Sequence, residues 1–299
     1  MGLRSSAVGA VAAALAIAAP VATGVDAARP NPYEGLGTWI DVYSPSSRAD
    51  PERVAASLSA RGVDTLFVET GNYRRRVDVV RPRQLSGLID AAHARNIAVV
   101  GWYLPGLTNA AVDFRRALAA VDFVSAGGGR FDSFALDIEA SVVRNADERT
   151  RRLLALSARL RAAVGAAYAL GAIIPSPVGM ELLPRYWPRF PYAQLARTYD
   201  VLLPMAYFSY RAHTATAVRR YVQRSVSIVR SESGDRDVPL HVIGGLAGAT
   251  SRPAAAAFVR AVASCGVAGL SLYDFSATKP SVWPLLATAA TARARTTHC

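Results

Sequence analysis

From Gly37 to Thr291, short runs of β-branched and aromatic residues alternate with longer amphipathic stretches, one pair about every 30 residues, the size of a βα unit. The strand candidates are Gly37–Tyr43, Val63–Glu69, Ile97–Tyr103, Ser133–Glu139, Ala167–Ile174, Val201–Tyr207, His241–Leu246 and Gly269–Asp274. Between and after them run helical patterns at Pro51–Arg61, Arg83–Arg95, Ala110–Val121, Asp147–Val164, Phe190–Arg197, Thr216–Ser231, Arg252–Ser264 and Val282–Thr291. The strands are almost uniformly apolar, as strands are when both sheet faces are covered, which points to parallel pairing. Eight strand-then-helix units predict an α/β fold, a (β/α)8 TIM barrel in a single domain. An open doubly wound sheet would carry a glycine-rich phosphate turn after its first strand, whereas here that strand runs into Asp41-Val42-Tyr43-Ser44.

Helix boundaries carry their own signals. Asp50-Pro51 and Ser251-Arg252-Pro253 supply a capping oxygen followed by a proline tolerated in the first turn. Gly62, Gly165 and Gly266 stand where three helices close. Ahead of the barrel, Arg4 precedes the apolar run Ala7–Ala22, and Val25-Asp26-Ala27 offers the small residues of a cleavage site. Residues 1–27 therefore read as a signal peptide and 28–299 as the barrel domain. The alternative for the first segment is an uncleaved anchor, but the run is short and alanine-rich for a membrane span. The expectation is a secreted, extracellular or cell-wall-associated protein with no stable membrane insertion after cleavage. In an oxidising compartment Cys265 and Cys299 can form a disulfide; a buried free Cys265 with an unpaired terminal Cys299 is the other reading.

Lys and Arg total 34 against 22 Asp and Glu, a formal charge of +12, and Lys279 is the single lysine. Such a surface favours anionic neighbours, yet no helix-turn-helix, zinc finger or aromatic-basic sheet motif is present, so nucleic acid is not expected as a partner. The scattered His93, His213, His241 and His298, with no C-x-x-C, imply no metal, and the lack of a dinucleotide turn implies no organic cofactor. A monomer is expected.

In a barrel, the C-terminal strand ends meet at one mouth. Here those ends hold Asp41 and Tyr43, Glu69, Trp102 and Tyr103, Asp137 and Glu139, Met205 and Tyr207, then Tyr273 and Asp274. Carboxylates among aromatic rings suit a sugar site, because rings stack on pyranose faces and carboxylates handle protons and cationic transition states. Asp137 and Glu139, two apart on one strand, project to the same face, while Leu136 and Ile138 point to the helices. Paired acids in a water-poor mouth repel, and one keeps its proton near neutral pH, as a general acid must. A carboxylate paired to an arginine inside the barrel is the structural alternative.

The stretch Asp132-Ser133-Phe134-Ala135-Leu136-Asp137-Ile138-Glu139 resembles the D-G-x-D-x-D-x-E signature of family-18 glycoside hydrolases, the chitinase-like barrels, with Asp132, Asp137 and Glu139 in register. Leu203-Pro204-Met205-Ala206-Tyr207 is similar to the family's M-x-Y-D strand. The resemblance implies a glycosidase in which Glu139 is the general acid, Asp137 orients a substrate acetamido group and Tyr207 donates to the developing intermediate. Asp132, Met205 and the other strand-end residues would bind substrate. Ser133, Ala135 and Phe208 depart from the pattern, replacing a glycine, the middle aspartate and the post-tyrosine aspartate. Asp41 with Asp137-x-Glu139 also looks like the β1 and β4 acids of family-25 lysozymes. The chain thus resembles an outlying barrel glycoside hydrolase. Direct displacement by Glu69, Asp41 or Asp274 stays open.

The expected function is cleavage of a polysaccharide or cell-wall glycan by carboxylate acid/base catalysis. Its rival is a catalytically silent barrel that binds glycan, motivated by Ala135 and Phe208. The run Arg74-Arg75-Arg76, with Arg81 and Arg83, falls on the rim and reads as a solvated loop or as a hold for an anionic glycan.

Overall fold

Eight strands pair in parallel, as the alternation predicts: β1 (Gly35–Ile40), β2 (Thr65–Asn72), β3 (Ala98–Leu104), β4 (Ser133–Asp137), β5 (Leu170–Ile174), β6 (Val201–Pro204), β7 (His241–Leu246) and β8 (Gly269–Tyr273). The ladder order is β6-β5-β4-β3-β2-β1-β8-β7. The two ends meet through the bridges Leu202 to Leu240 and Met205 to Ile243, which close the cylinder. The helices that cover it are α1 (Pro51–Ser59), α2 (Pro82–His93), α3 (Ala110–Val121), α4 (Ala146–Val164), α5 (Pro177–Leu182), α6 (Tyr192–Thr198), α7 (Ala215–Ser233), α8 (Arg252–Cys265) and α9 (Trp283–Ala290). This is a (β/α)8 barrel. The computed structural model describes residues 1–2, 31–44, 48–290 and 299. The chain divides into two units, Met1–Pro30 and Asn31–Cys299, and the barrel is the second. The expected signal peptide, beyond Met1 and Gly2, lies outside the described residues.

Local chemistry sets the boundaries. Asp50 caps α1 by accepting from Arg53 N, and Ser251 caps α8 by accepting from Ala254 N. Gly62, Gly165 and Gly266 all take positive φ, at 67°, 75° and 57°. β6 stops at Pro204, three residues short of the sequence expectation, so Met205 and Tyr207 lie on the turn that leads into a 3-10 turn at Phe208–Tyr210. β1 likewise ends at Ile40, which places Asp41 and Tyr43 on the loop after it. Helix α5 was not evident in the sequence. It is a short helix started by Ser176, whose hydroxyl accepts from Gly179 N, and by Pro177.

Alternate strand residues divide between two cores. Leu66, Val68, Val99, Phe134, Leu136, Ile138 and Ala172 pack outward with the helices. Tyr33, Trp39, Phe67, Val100, Trp102, Ala135, Ile173, Leu203, Met205 and Ile243 fill the barrel. The barrel's lower interior is a hydrogen-bonded plug. Trp39 Nε1 donates to Ser271 Oγ at 2.8 Å, and Ser271 bonds His241 Nε2 at 3.0 Å. His241 Nδ1 donates to the Tyr33 carbonyl at 3.0 Å. The Tyr33 hydroxyl bonds Ser133 Oγ, which donates to the Ala169 carbonyl, both at 2.7 Å. Burial pushes His241 down to about 4, so the neutral imidazole fits this chain of donors and acceptors. Cys265 and Cys299 form a disulfide with Cα atoms 4.6 Å apart. Closing that loop contributes about 4 kcal/mol in the chain-entropy treatment.

Candidate active site

The pleat of β4 does what its sequence requires. Ser133 and Ala135 face the interior while Phe134, Leu136 and Ile138 pack against the helices. Asp137 ends the strand, and Glu139 follows once Ile138 N has donated to the Ile173 carbonyl at 2.8 Å. Asp137 and Glu139 line one cavity of about 310 Å³ over the plug, together with Trp39, Tyr43, Glu69, Asn72, Trp102, Ile173, Met205, Tyr207, Ile243 and Tyr273. Glu139 also opens onto a second cavity of about 580 Å³, walled by Ser176, Met180, Leu183, Tyr186, Tyr210, Arg211 and Tyr221. Met205, Tyr207 and Tyr210 belong to both, so the two cavities adjoin at Glu139.

None of the ion pairs among the described residues involves Asp137, Glu139 or Glu69, which removes the structural alternative of an internal arginine partner. Asp137 is 6% exposed and its Oδ1 has no hydrogen-bond partner. Burial first, then the charges of Glu139 and Glu69, hold its carboxyl well above the usual carboxylate range. Glu139 is exposed at the cavity, yet burial of its carboxyl group among the surrounding walls raises it, and the charge of Arg74 offsets part of that rise. Glu69 is 1% exposed and burial pushes it to about 7. Its Oε2 accepts from Val42 N at 2.9 Å and its Oε1 from Asn72 Nδ2 at 2.7 Å. Burial and the charges of Glu139 and Asp137 raise the Tyr207 phenol well above its ordinary value, so it stays a hydrogen-bond donor. Trp102 Nε1 is a second buried polar atom of this lining without a partner. Such orphaned atoms are uncommon, and in a cavity they fit groups that a ligand would bring.

The remaining expected site residues divide. Tyr43 stands exposed on the rim, where Asn72 Nδ2 donates to its hydroxyl at 3.2 Å and the Arg75 guanidinium lies 5.0 Å from its ring centre. Tyr273 lines the cavity and donates to Asp41 Oδ2 at 2.7 Å. Asp41 in turn accepts from Tyr43 N and Ser44 N through Oδ1, so it organises the loop after β1 and does not line the cavity. Asp274 accepts from Ser276 Oγ and Ala277 N, closing the turn after β8. Two expectations are corrected. Tyr103, next to inward Trp102, must face the other side of the strand; it is wholly buried against the helices and donates to Asp113 Oδ1 at 2.7 Å. Asp132 precedes β4, at the end opposite the mouth, where its Oδ2 accepts from Val99 N and meets His93 Nε2, both at 2.8 Å. Residues that motif reading did not raise are Asn72, Tyr186, Arg211 and Tyr221, none of which lies in a quoted motif.

Among the described residues no cluster of three or more His, Cys, Asp or Glu is placed to hold a metal ion, and no helix is long and apolar enough to cross a membrane. No family model and no curated protein matches the chain by sequence. Solved structures do. The endo-β-1,4-mannanase of Thermotoga petrophila superposes with a TM-score of 0.66 at 11% identity, over 88% of this chain and 77% of its own. A chitinase of Chromobacterium violaceum matches with a TM-score of 0.58 at 14% identity, over 87% of this chain and all of its own (100%). The spore cortex-lytic enzyme SleL of Bacillus cereus matches at 0.62 and 9% identity, over 85% and 73%. At such identities the likeness is one of architecture: this chain has the fold of the barrels that mannanases, chitinases and cortex-lytic enzymes share.

Proposed function

We propose that the chain is a glycoside hydrolase that cleaves a polysaccharide or cell-wall glycan, with Glu139 as its acid and base. The observation that carries this reading is the pair of carboxyl groups, Asp137 and Glu139, in no ion pair among the described residues and lining one cavity among aromatic side chains. Architectural likeness to enzymes named for mannan, chitin and spore cortex supports it. In this reading Glu139 gives its proton to the glycosidic oxygen as that oxygen's bond to the anomeric carbon breaks, the oxygen of the acetamido group held by Asp137 bonds the same carbon in its place, and the Tyr207 hydroxyl donates to the intermediate so formed. A water molecule then completes hydrolysis and returns a proton to Glu139. The junction of two cavities at Glu139 suits a glycan extending on both sides of the bond that breaks. The reading includes export with removal of residues 1–27, which the Cys265–Cys299 disulfide supports.

The test is release of new reducing ends from N-acetylglucosamine-containing, mannan, arabinan and galactosaminan polymers. Glu139→Gln should abolish release, by about 100-fold or more, with binding and folding retained. A specific observation favours a second reading, a glycan-binding barrel without catalysis. Ala135 leaves β4 one carboxyl short, and Phe208 is buried with its ring 5.6 Å from that of Phe258, so no acid follows Tyr207 into the mouth. Binding across the panel without cleavage by the native chain would establish it.

A further inference from the structure

The interior layer of the cavity that holds Asp137 of β4 holds a second acid, Glu69 of β2. Strand register aligns Glu69 of β2 with Trp102 of β3, and Trp102 with Ala135 of β4. Ala135 is the position of the middle aspartate in the pattern the β4 segment resembles. Its methyl group lies inside the barrel, one inward position before Asp137. The local backbone is shaped around Glu69. Between Glu69 and Gly71 the register of β2 against β3 shifts. Three positions along an unbroken strand would turn Asn72 to the opposite face, but the irregularity re-aims it so that its amide holds Glu69 Oε1. Val42 N holds the other oxygen. The carboxyl group is therefore held through both oxygens and lines the same cavity as Asp137.

The charged and titratable surroundings are few. Arg48 is buried and donates to the backbone carbonyl of Glu69 instead of to its carboxyl group. Asp41 and Tyr273 form their own pair, Glu139 and Tyr207 face the cavity, and the charge of Arg74 acts on Glu139 without an ion pair. We propose that Glu69, which lines the cavity with Asp137, acts on cleavage through Asp137, as a positioning residue. The proposal rests on the hydrolase reading. Asp137 then shares its cavity with two acids, Glu139 and Glu69; burial first, then the charge of Glu139 and that of Glu69, keep the proton on Asp137. A protonated Asp137 is a donor, able to bond the carboxylate left on Glu139 after proton transfer.

Glu69→Gln should lower kcat about 10-fold or more with KM changed less than about 2-fold. The alkaline limb of its pH profile should move to lower pH by at least about 0.5 unit, because Asp137 loses the charge that holds its proton. Glu69→Asp, which keeps the carboxyl group, should retain more of the activity and of the limb than Glu69→Gln. A purely structural role would lower thermal stability and leave the limb in place; that result overturns the proposal. Carbon-13 NMR of the Asp137 carboxyl group gives a readout independent of turnover. Its titration midpoint should fall in Glu69→Gln, and an unchanged midpoint overturns the proposal. Should the native chain cleave no glycan, the hydrolase reading fails, and the NMR midpoint alone decides whether Glu69 governs Asp137.

Discussion

At the scale of single residues, the site stores carboxyl groups where water would otherwise stabilise their charge. Asp137 is the extreme case, buried and without a partner on Oδ1. Its raised titration means that the folded chain holds a proton which the unfolded chain releases, so its stability contribution is present below its unfolded value and lost as pH rises. Asp137→Asn keeps the shape and removes the ionisation. Hydrolysis should fall about 100-fold or more, while the melting temperature, relative to the native chain, should rise further at pH 8 than at pH 4. Thermal denaturation at the two pH values checks this, and an equal shift at both would contradict it. Glu139 and Asp137 were legible from sequence because spacing of two on a strand is a rule of the pleat. The partner of Glu69 was not, because Asn72 reaches it through an irregularity that exists only between paired strands.

At the scale of elements, all eight strands were legible as apolar runs, since parallel strands covered on both faces have nowhere to place polar groups. Their ends were less so. Pro204 stops β6 early, and α5 is six residues long, too short for a hydrophobic period to declare itself. Tyr103 was misplaced because the strand end was read as a cluster, without alternating faces; Asp132 because a motif match does not say where its strand begins. The barrel floor yields a prediction of its own. A Cβ on Gly171 of β5 would stand 2.5 Å from the Tyr33 hydroxyl, which β4 holds through Ser133. Gly171→Ala should therefore cost about 1–3 kcal/mol by overpacking, read as a lower denaturant midpoint. Glycan cleavage should decline less than stability, because the mouth is at the other end.

At the scale of the whole molecule, two buried groups oppose each other across mildly acidic pH. Glu69, raised from 4.5 to about 7, contributes stability that is complete below its unfolded value and is lost as pH rises through 7. His241, lowered from 6.5 to about 4, contributes stability that is complete above its unfolded value and is lost as pH falls through 4. Each amounts to about 3 kcal/mol, and between their ranges they offset one another. Replacing Glu69 with Gln unmasks the histidine: relative to the native chain, the variant should gain about 3 kcal/mol between pH 4 and pH 8, measured by chemical denaturation at each pH. No relative gain would mean that Glu69 titrates normally.

The closing contact between β6 and β7 is the slenderest in the cylinder wall, two isolated bridges where the other neighbouring strands form ladders. When gentle warming parts that join, two bare strand margins face solvent, each able to accept its counterpart from another copy. Incubation just below the melting point should accordingly yield exchanged dimers, visible by size-exclusion chromatography, whose backbone amides at Leu202 and Ile243 lose deuterium protection earliest.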